Sequence, residues 1–186
     1  MTSTPQHQDF YFVVEKIDVV PELRERAQQY EKSIRDSNAK HVGQLLGIHY
    51  TKITKDSVEA TMPVTDRHHQ VIGLLHGGLN AALAEDVAST AATLHVADMA
   101  KQFVVGSTIT ANHIRSVTSG FVTATATVQH KGRRQQVWQV TIRNEKGEVA
   151  CVSYCTLVVL DKKSVIGSAQ RNHQQQQQQG QGKAKL

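Results

Sequence analysis

The chain has 186 residues, 39% of them hydrophobic and 20% charged, enough for one domain with a full core and within the globular range once polar ends are set aside. Its formal net charge of +5 makes a polyanionic partner worth testing, but no zinc-finger spacing, basic helix or aromatic RNA-binding signature is present, so nucleic acid is not expected. No apolar run approaches the roughly 20 residues that cross a bilayer, and the polar start from Met1 to Gln8 lacks the basic and apolar regions of a signal peptide; the expectation is a cytoplasmic chain without membrane contact.

Phe10–Val20 is a short apolar piece that suits either an extra edge strand or a contact with a neighbouring subunit. Pro21 reads as a first helical residue, where its missing N–H costs nothing. Leu23, Ala27, Tyr30 and Ile34 then give a narrow apolar stripe on a highly charged helix. Residues 1–40 read as an extension. From His41 a helical turn leads into a strand at about Ile48–Ile53, Lys55-Asp56 supplies a turn, and Val58, Ala60, Met62 and Val64 alternate in the next strand. A long helix at about Leu79–Val96 precedes four strands, near Phe103–Ser116, Phe121–His130, Gln136–Arg143 and Val149–Leu160. Their separators, Ser119-Gly120, Lys131-Gly132-Arg133 and Glu145-Lys146-Gly147, are hairpin chemistry.

The order β-β-α-β-β-β-β excludes a doubly wound parallel fold, because its strands come as adjacent antiparallel hairpins. The fold class is α+β: one long helix against one curved antiparallel sheet of about six strands. The domain spans 41–160, and 161–186, with an uninterrupted glutamine run at Gln174–Gln179, reads as a disordered tail. Cys151 and Cys155 fall on one face of one strand, too far apart for an easy disulfide, and read as reduced sheet or core residues; no metal cluster is in view.

The chemistry concentrates in Gln70–Ser89, Q-V-I-G-L-L-H-G-G-L-N-A-A-L-A-E-D-V-A-S. Paired glycines after His76 let backbone approach another group closely. The first N–H groups of a helix starting after them have no intrahelical partner, which makes an oxyanion site of main chain alone from Gly77 and Gly78. At 100° per residue Leu79, Leu83, Val87, Thr90 and Leu94 form the face a sheet would cover. Glu85 lies opposite with Ala81, Ala88 and Ala92 around it, a setting that predicts partial desolvation and raised basicity. Ser89, one turn on, suits orienting Glu85 or a water, with a satisfied helix hydroxyl as the alternative. His76 suits a general base or, beside two glycines, a loop-holding side chain. His113 and Arg115 share one strand face, and Lys131, Gly132, Arg133 and Arg134 form a cationic hairpin suited to phosphate, although charged hairpins are often simply solvated.

His76-Gly77-Gly78 followed by Glu85, with Gln70 before and Ser89 after, resembles the active-site segment of hotdog-fold acyl-CoA thioesterases. The likeness is to the PaaI-like group, which includes Arthrobacter-type 4-hydroxybenzoyl-CoA thioesterases and 1,4-dihydroxy-2-naphthoyl-CoA hydrolases. It continues through A-N-H-I-R-S, H-K-G-R-R-Q-Q-V-W and N-E-K-G, from about His41 to Leu160.

The resemblance implies a hotdog fold and thioester hydrolysis, with Glu85 as catalytic carboxylate, Gly77 polarising the carbonyl and Gln70 assisting. It also implies coenzyme A as part of the substrate rather than a cofactor, held near His113, Arg115 and the cationic hairpin. The site it implies lies at a homodimer interface, with dimers pairing into tetramers and with Gln70 and Glu85 from different subunits. Aromatic acyl groups are favoured. A hotdog hydratase or dehydratase would pair a His with an acid, and an acyl-CoA-sensing module would keep the pocket without needing Glu85.

Overall fold

In a computed structural model, residues 11–37 and 41–163 are described; the glutamine run predicted as a disordered tail lies outside them. The elements in chain order are β1 (Asp18–Val19), α1 (Pro21–Ser37), α2 (Val42–Leu45), β2 (His49–Ile53), β3 (Ser57–Val64), α3 (Gly77–His95), β4 (Gln102–His113), β5 (Gly120–Lys131), β6 (Gln135–Asn144) and β7 (Val149–Asp161). They form one sheet in the order β1-β2-β3-β5-β6-β7-β4. Every neighbouring pair is antiparallel except β1, which lies parallel to β2. The sheet therefore has seven strands where the pattern gave about six. The addition is β1, so Phe10–Val20 takes the first of its two expected roles and supplies an edge strand.

Helix α3 lies across the long strands β3 to β7. Its sheet-facing side follows from spacing: Leu83, Ala84, Val87, Ala88, Ala91, Ala92 and Leu94 are fully buried, and Thr90 nearly so. Alternating strand residues meet them, Val58, Ala60 and Met62 from β3, Val122, Ala124 and Ala126 from β5, and Trp138, Val140 and Ile142 from β6. Trp138 carries its polar edge into this core with a partner: its Nε1–H donates to Gln136 Oε1 at 3.1 Å, and Gln136 Nε2 donates to the Ala92 carbonyl at 3.2 Å. That chain of bonds satisfies groups that would otherwise cost free energy when buried.

The N-terminal segment joins the same core instead of standing apart. Leu23 and Ala27 of α1 are buried, Tyr30 and Ile34 pack on the core's margin, and Arg26 donates to the carbonyl of Val96 at the end of α3. The tightest link is polar. Tyr11 donates its hydroxyl to the Asp86 carboxylate at 2.9 Å, and Tyr50 donates to the same carboxylate at 2.8 Å. Tyr50 also meets Thr90 Oγ1 at 2.7 Å, which lies 3.2 Å from the Tyr30 hydroxyl. Rings back the hydroxyls: Tyr11 and Tyr50 pack edge to face at 5.5 Å, and Phe12 and Tyr30 at 5.0 Å. At the other end, β7 runs one residue past the predicted boundary to Asp161, and the Lys162 N–H donates to the Lys101 carbonyl at 2.8 Å.

Burial is the main cause raising the Asp86 carboxyl above its ordinary range, and the two tyrosine hydroxyls oppose it by holding the ionised form. A carboxyl whose folded pKa is raised contributes stability below the unfolded value of about 4 and loses that contribution as pH rises through the folded value. Asp86→Asn, neutral throughout, is expected to gain in melting temperature relative to wild type as pH is taken from about 4 to 7. Tyr50→Phe at pH 7 is expected to cost about 1.5–3 kcal/mol in urea unfolding, the range for a hydrogen bond to a charged group. A flat difference with pH for the first, or no loss for the second, would mean the cluster is not coupled to folding.

Candidate active site

Helix α3 begins at Gly77, two residues earlier than the pattern placed it, so both glycines sit in its first turn. His76 is the N-cap, and its Nδ1 accepts the Gly78 N–H at 2.9 Å. The Leu79 N–H goes to the His76 carbonyl at 2.9 Å. Of the two N–H groups expected to form an oxyanion site, Gly78's is thus already bound. Gly77's has no acceptor among the described residues. An imidazole accepting at Nδ1 carries its proton on Nε2, so the one lone pair of a neutral His76 is engaged by the Gly78 N–H, a bond that holds the loop to the helix start.

The loop leading to this cap is pinned from both sides. His68 Nδ1 lies 2.8 Å from Thr65 Oγ1 and its Nε2 3.1 Å from the Leu46 carbonyl. The His76 N–H donates to the His68 carbonyl at 2.9 Å, and the Leu75 N–H to the Val117 carbonyl at 2.8 Å. The Gln70 N–H donates to the Leu74 carbonyl at 2.8 Å, closing a turn that sets the Gln70 side chain beside the start of α3. Gln70, Leu75, Gly77, Asn80, His113 and Arg115 line a cleft of about 260 Å³ there, together with Leu74 and Ile114–Val117. Gly77 lets His113 lie close over the helix start: a Cβ on it would sit 2.8 Å from His113 Nε2 and move that ring.

Glu85 lies eight residues on, about 12 Å along the helix axis at 1.5 Å per residue. Its carboxylate rests on Gly106 of β4, where an added Cβ would run into Oε1. Sequence reasoning missed Gly106, although a lone glycine inside a strand pattern is a signal of close approach or of a bulge; the β4–β7 register does shift between Gly106 and Thr108. The expected desolvation of Glu85 is not present in the single subunit. Ala88 and Ala92 are buried against the sheet, Ala81 is half-buried, and Glu85 itself is exposed. The acid of this helix that is drawn inward is its neighbour Asp86, half-buried under Tyr11 and Tyr50. Ser89 is half-buried one turn beyond Glu85, and its backbone carbonyl accepts the Thr93 hydroxyl at 2.8 Å.

The residues expected to meet coenzyme A divide into two groups. His113 and Arg115 stand at the cleft, with Arg115 Nε 3.7 Å from Glu148 and Nη1 donating to the Val149 carbonyl at 3.3 Å. Lys131, Gly132, Arg133 and Arg134 occupy the β5–β6 turn at the other end of α3. There the Lys131 ammonium donates to the Lys55 carbonyl at 3.1 Å and pairs with Asp56 at 3.4 Å, and His95 Nε2 bonds the same Lys55 carbonyl. The 19-residue helix, about 28 Å long, separates the two groups, so one subunit does not bring them together. Strand β4, which carries Gly106 and His113, is the last in the sheet order and, among the described residues, pairs only with β7. No described residue pairs with its other edge, where Val105 is 40% exposed, with Ile114 just beyond at 61%.

Comparison with known proteins agrees with this architecture. Residues 72–151 match the family described as the thioesterase superfamily. The proofreading thioesterase EntH of Cronobacter turicensis is 45% identical over 126 residues, 66% of this chain and 90% of that one. The 1,4-dihydroxy-2-naphthoyl-CoA hydrolase of Escherichia coli is 42% identical over 126 residues, covering 66% and 91%. A crystal structure of a thioesterase from Haemophilus influenzae superposes with a TM-score of 0.64 at 42% identity, over 70% of this chain and 90% of that one. This chain belongs to the thioesterase superfamily, with the hotdog fold, and is a thioester hydrolase.

Cys151 and Cys155 are both free and buried. Burial pushes the Cys155 thiol up to about 12, with Glu85 adding to the rise, and raises Cys151 as well. Neither presents a thiolate at neutral pH. A colorimetric disulfide reagent is expected to titrate no thiol in the native protein and two in urea, and rapid native reaction of either would contradict the burial.

Proposed function

We propose that the protein hydrolyses acyl-CoA thioesters, with aromatic acyl groups favoured, at a site completed by a second copy of the chain. One observation carries this reading: the unpartnered Gly77 N–H and Glu85 are separated by about 12 Å of helix, too far to serve one carbonyl from the same subunit. In this reading the thioester carbonyl accepts from Gly77 N–H, aided by the positive end of the α3 dipole and by the Gln70 side chain. The carboxylate comes from Glu85 of the partner subunit, either attacking the carbonyl carbon or taking a proton from the attacking water, and the coenzyme leaves as its thiolate. The open edge of β4 supports the pairing, since an exposed strand edge is a template for another copy, and closing it would withdraw Glu85 from water and raise its basicity. The aromatic preference rests on the related hydrolase named for a naphthoyl-CoA substrate.

Glu85→Gln keeps shape but loses nucleophilicity and proton acceptance. It is expected to lower kcat for benzoyl-CoA by at least about 10²-fold with little change in KM. Mixing refolded Glu85→Gln with Gln70→Ala, each weak alone, tests the shared site, because a mixed dimer holds one site with both residues intact. Recovery toward roughly a quarter of wild-type activity is expected from random pairing; no recovery would place both residues in one subunit's site, and an active monomer would remove the shared site altogether.

Arg133 and Arg134, exposed on the β5–β6 turn, are proposed to meet the coenzyme phosphates of a site outside their own subunit's cleft. Replacing both by Ala is expected to raise KM for acyl-CoA more than it lowers kcat, since phosphate contacts do not change along the reaction. Equal losses on a pantetheine thioester without the nucleotide would show the turn to be structural.

A further inference from the structure

Two directions lead away from the place where Glu85 meets Gly106. One runs back along α3 to Gly77 and His113, the cleft already described. The other runs forward. Ser89 and Thr93 follow Glu85 along α3 at one and two turns, and Val104 precedes Gly106 by two residues on the same face of β4, about 7 Å away. The register shift of β4 falls after Gly106, so that alternation is unbroken, and Val104 packs on the core. Thr93 and Val104 line a second cleft, together with Tyr30 and Ser33 of α1 and Ala100 of the α3–β4 connection. Its volume of about 340 Å³ suits a small-molecule site. Helix α1 belongs to the N-terminal segment and lies outside the superfamily match at 72–151.

The walls of this cleft present hydrocarbon. The Thr93 hydroxyl donates to the Ser89 carbonyl at 2.8 Å, and the Ser33 hydroxyl donates to the Tyr30 carbonyl at 2.7 Å. The Tyr30 hydroxyl lies 3.2 Å from Thr90 Oγ1, Gln102 Oε1 accepts the Asp98 N–H at 3.3 Å, and the Lys162 ammonium donates to the Met99 carbonyl at 2.9 Å. An apolar occupant therefore covers side chains whose polar atoms already have partners, and it strands none of these atoms. Symmetry supplies the direction. In the shared-site reading the thioester carbonyl lies between Glu85 of one subunit and Gly77 of the partner subunit, and a two-fold pairing repeats this with the roles exchanged. The Gly77 end of each helix is then taken by the carbonyl and coenzyme of the other site. What remains for the acyl group met by Glu85 is the end toward Thr93 and Val104.

We infer that the second cleft receives the far end of the acyl group, and that Ser33 and Ala100, both exposed and both lining it, set the length of acyl group the enzyme accepts. The preferred acyl groups carry an apolar extension beyond the atoms next to the carbonyl. With the aromatic preference proposed above, this is a ring bearing a further apolar group. The inference rests on the acyl-CoA reading of the shared site and adds to it the residues that measure the acyl group. It also gives α1 a part in substrate selection.

The test compares benzoyl-CoA with 4-hexylbenzoyl-CoA on wild type, Ser33→Phe and Ala100→Phe, substitutions that fill the cleft from different elements. Wild type is expected to favour the hexyl ester by at least about 10-fold in kcat/KM, the gain from burying about two of its methylene groups. Each Phe variant should bring that ratio to within about two-fold by losing the longer ester alone, with benzoyl-CoA turnover unchanged. The melting temperature should hold, since both positions are exposed. Binding of phenacyl-CoA and 4-hexylphenacyl-CoA, thioethers that cannot be hydrolysed, is measured by calorimetry on the same three proteins. If no ester is turned over, the hydrolysis of acyl-CoA fails, while the ratio of thioether affinities still decides the role of the cleft. A wild type that gains nothing from the hexyl chain in either assay would overturn the inference. So would two Phe variants that keep the wild-type ratio, or that lose both esters equally, which would give α1 a structural part only.

Discussion

The structure depends on how closely helix α3 and the sheet approach each other. Ala84, Ala88, Ala91 and Ala92 are all fully buried, and their methyl groups let the long strands come near the helix backbone along most of its length. Larger residues at these four positions would lift the sheet away, and the cost of overpacking would be felt throughout the core. The same demand for small residues recurs at the ends of the contact. Glu85 lies against Gly106 and His113 against Gly77 at distances that a Cβ on either glycine would make these side chains give up. Packing and candidate chemistry thus share one cause, the removal of bulk between α3 and β4.

Two adjacent carboxylates of α3 show what the fold does with charge. Asp86 is turned toward β2 and the N-terminal segment and takes hydroxyls from Tyr11 and Tyr50. Glu85 points about 100° away around the helix, over β4, and is left exposed. Because Asp86 can keep its partners only at one rotation of the helix, the tyrosine cluster also fixes the direction in which Glu85 points. The N-terminal segment, which carries Tyr11 and contributes Tyr30 beside Thr90, is in that sense part of what positions the candidate site.

Sequence patterning made the fold legible where one periodicity ruled. The alternation of β3 and the four hairpin strands, the face of α3 and the glycine turns all follow from local spacing. So did the cluster of Gln70, Gly77 and the His-Gly-Gly cap, since those residues lie close together in the chain. What stayed hidden depended on contacts between distant residues. The Tyr11–Asp86 bond and the seat of Glu85 on Gly106 join elements whose relative placement no local pattern records. The cationic turn was grouped with His113 and Arg115 by resemblance and charge, and only the path of β5 and β6 shows it at the far end of α3. The solvation of Glu85 was misjudged for a similar reason: alanines near it on a helical wheel belong to the face that packs on the sheet.

The sheet order also bears on how the chain comes into being. Strand β4 is made before β5, β6 and β7, yet its one neighbour among the described residues is β7, the last described strand, with Gln102 opposite Asp161. During synthesis β4 therefore emerges with both edges bare and stays so until nearly the whole domain has left the ribosome. Pairing it requires closing a long loop, exceeded in the sheet only by the β3–β5 connection, a slow step for a contact of high sequence separation. A chain that stops short of Val149 would expose twelve residues of unpaired strand without the means to cover them, the situation in which nascent β-proteins aggregate or call on chaperones.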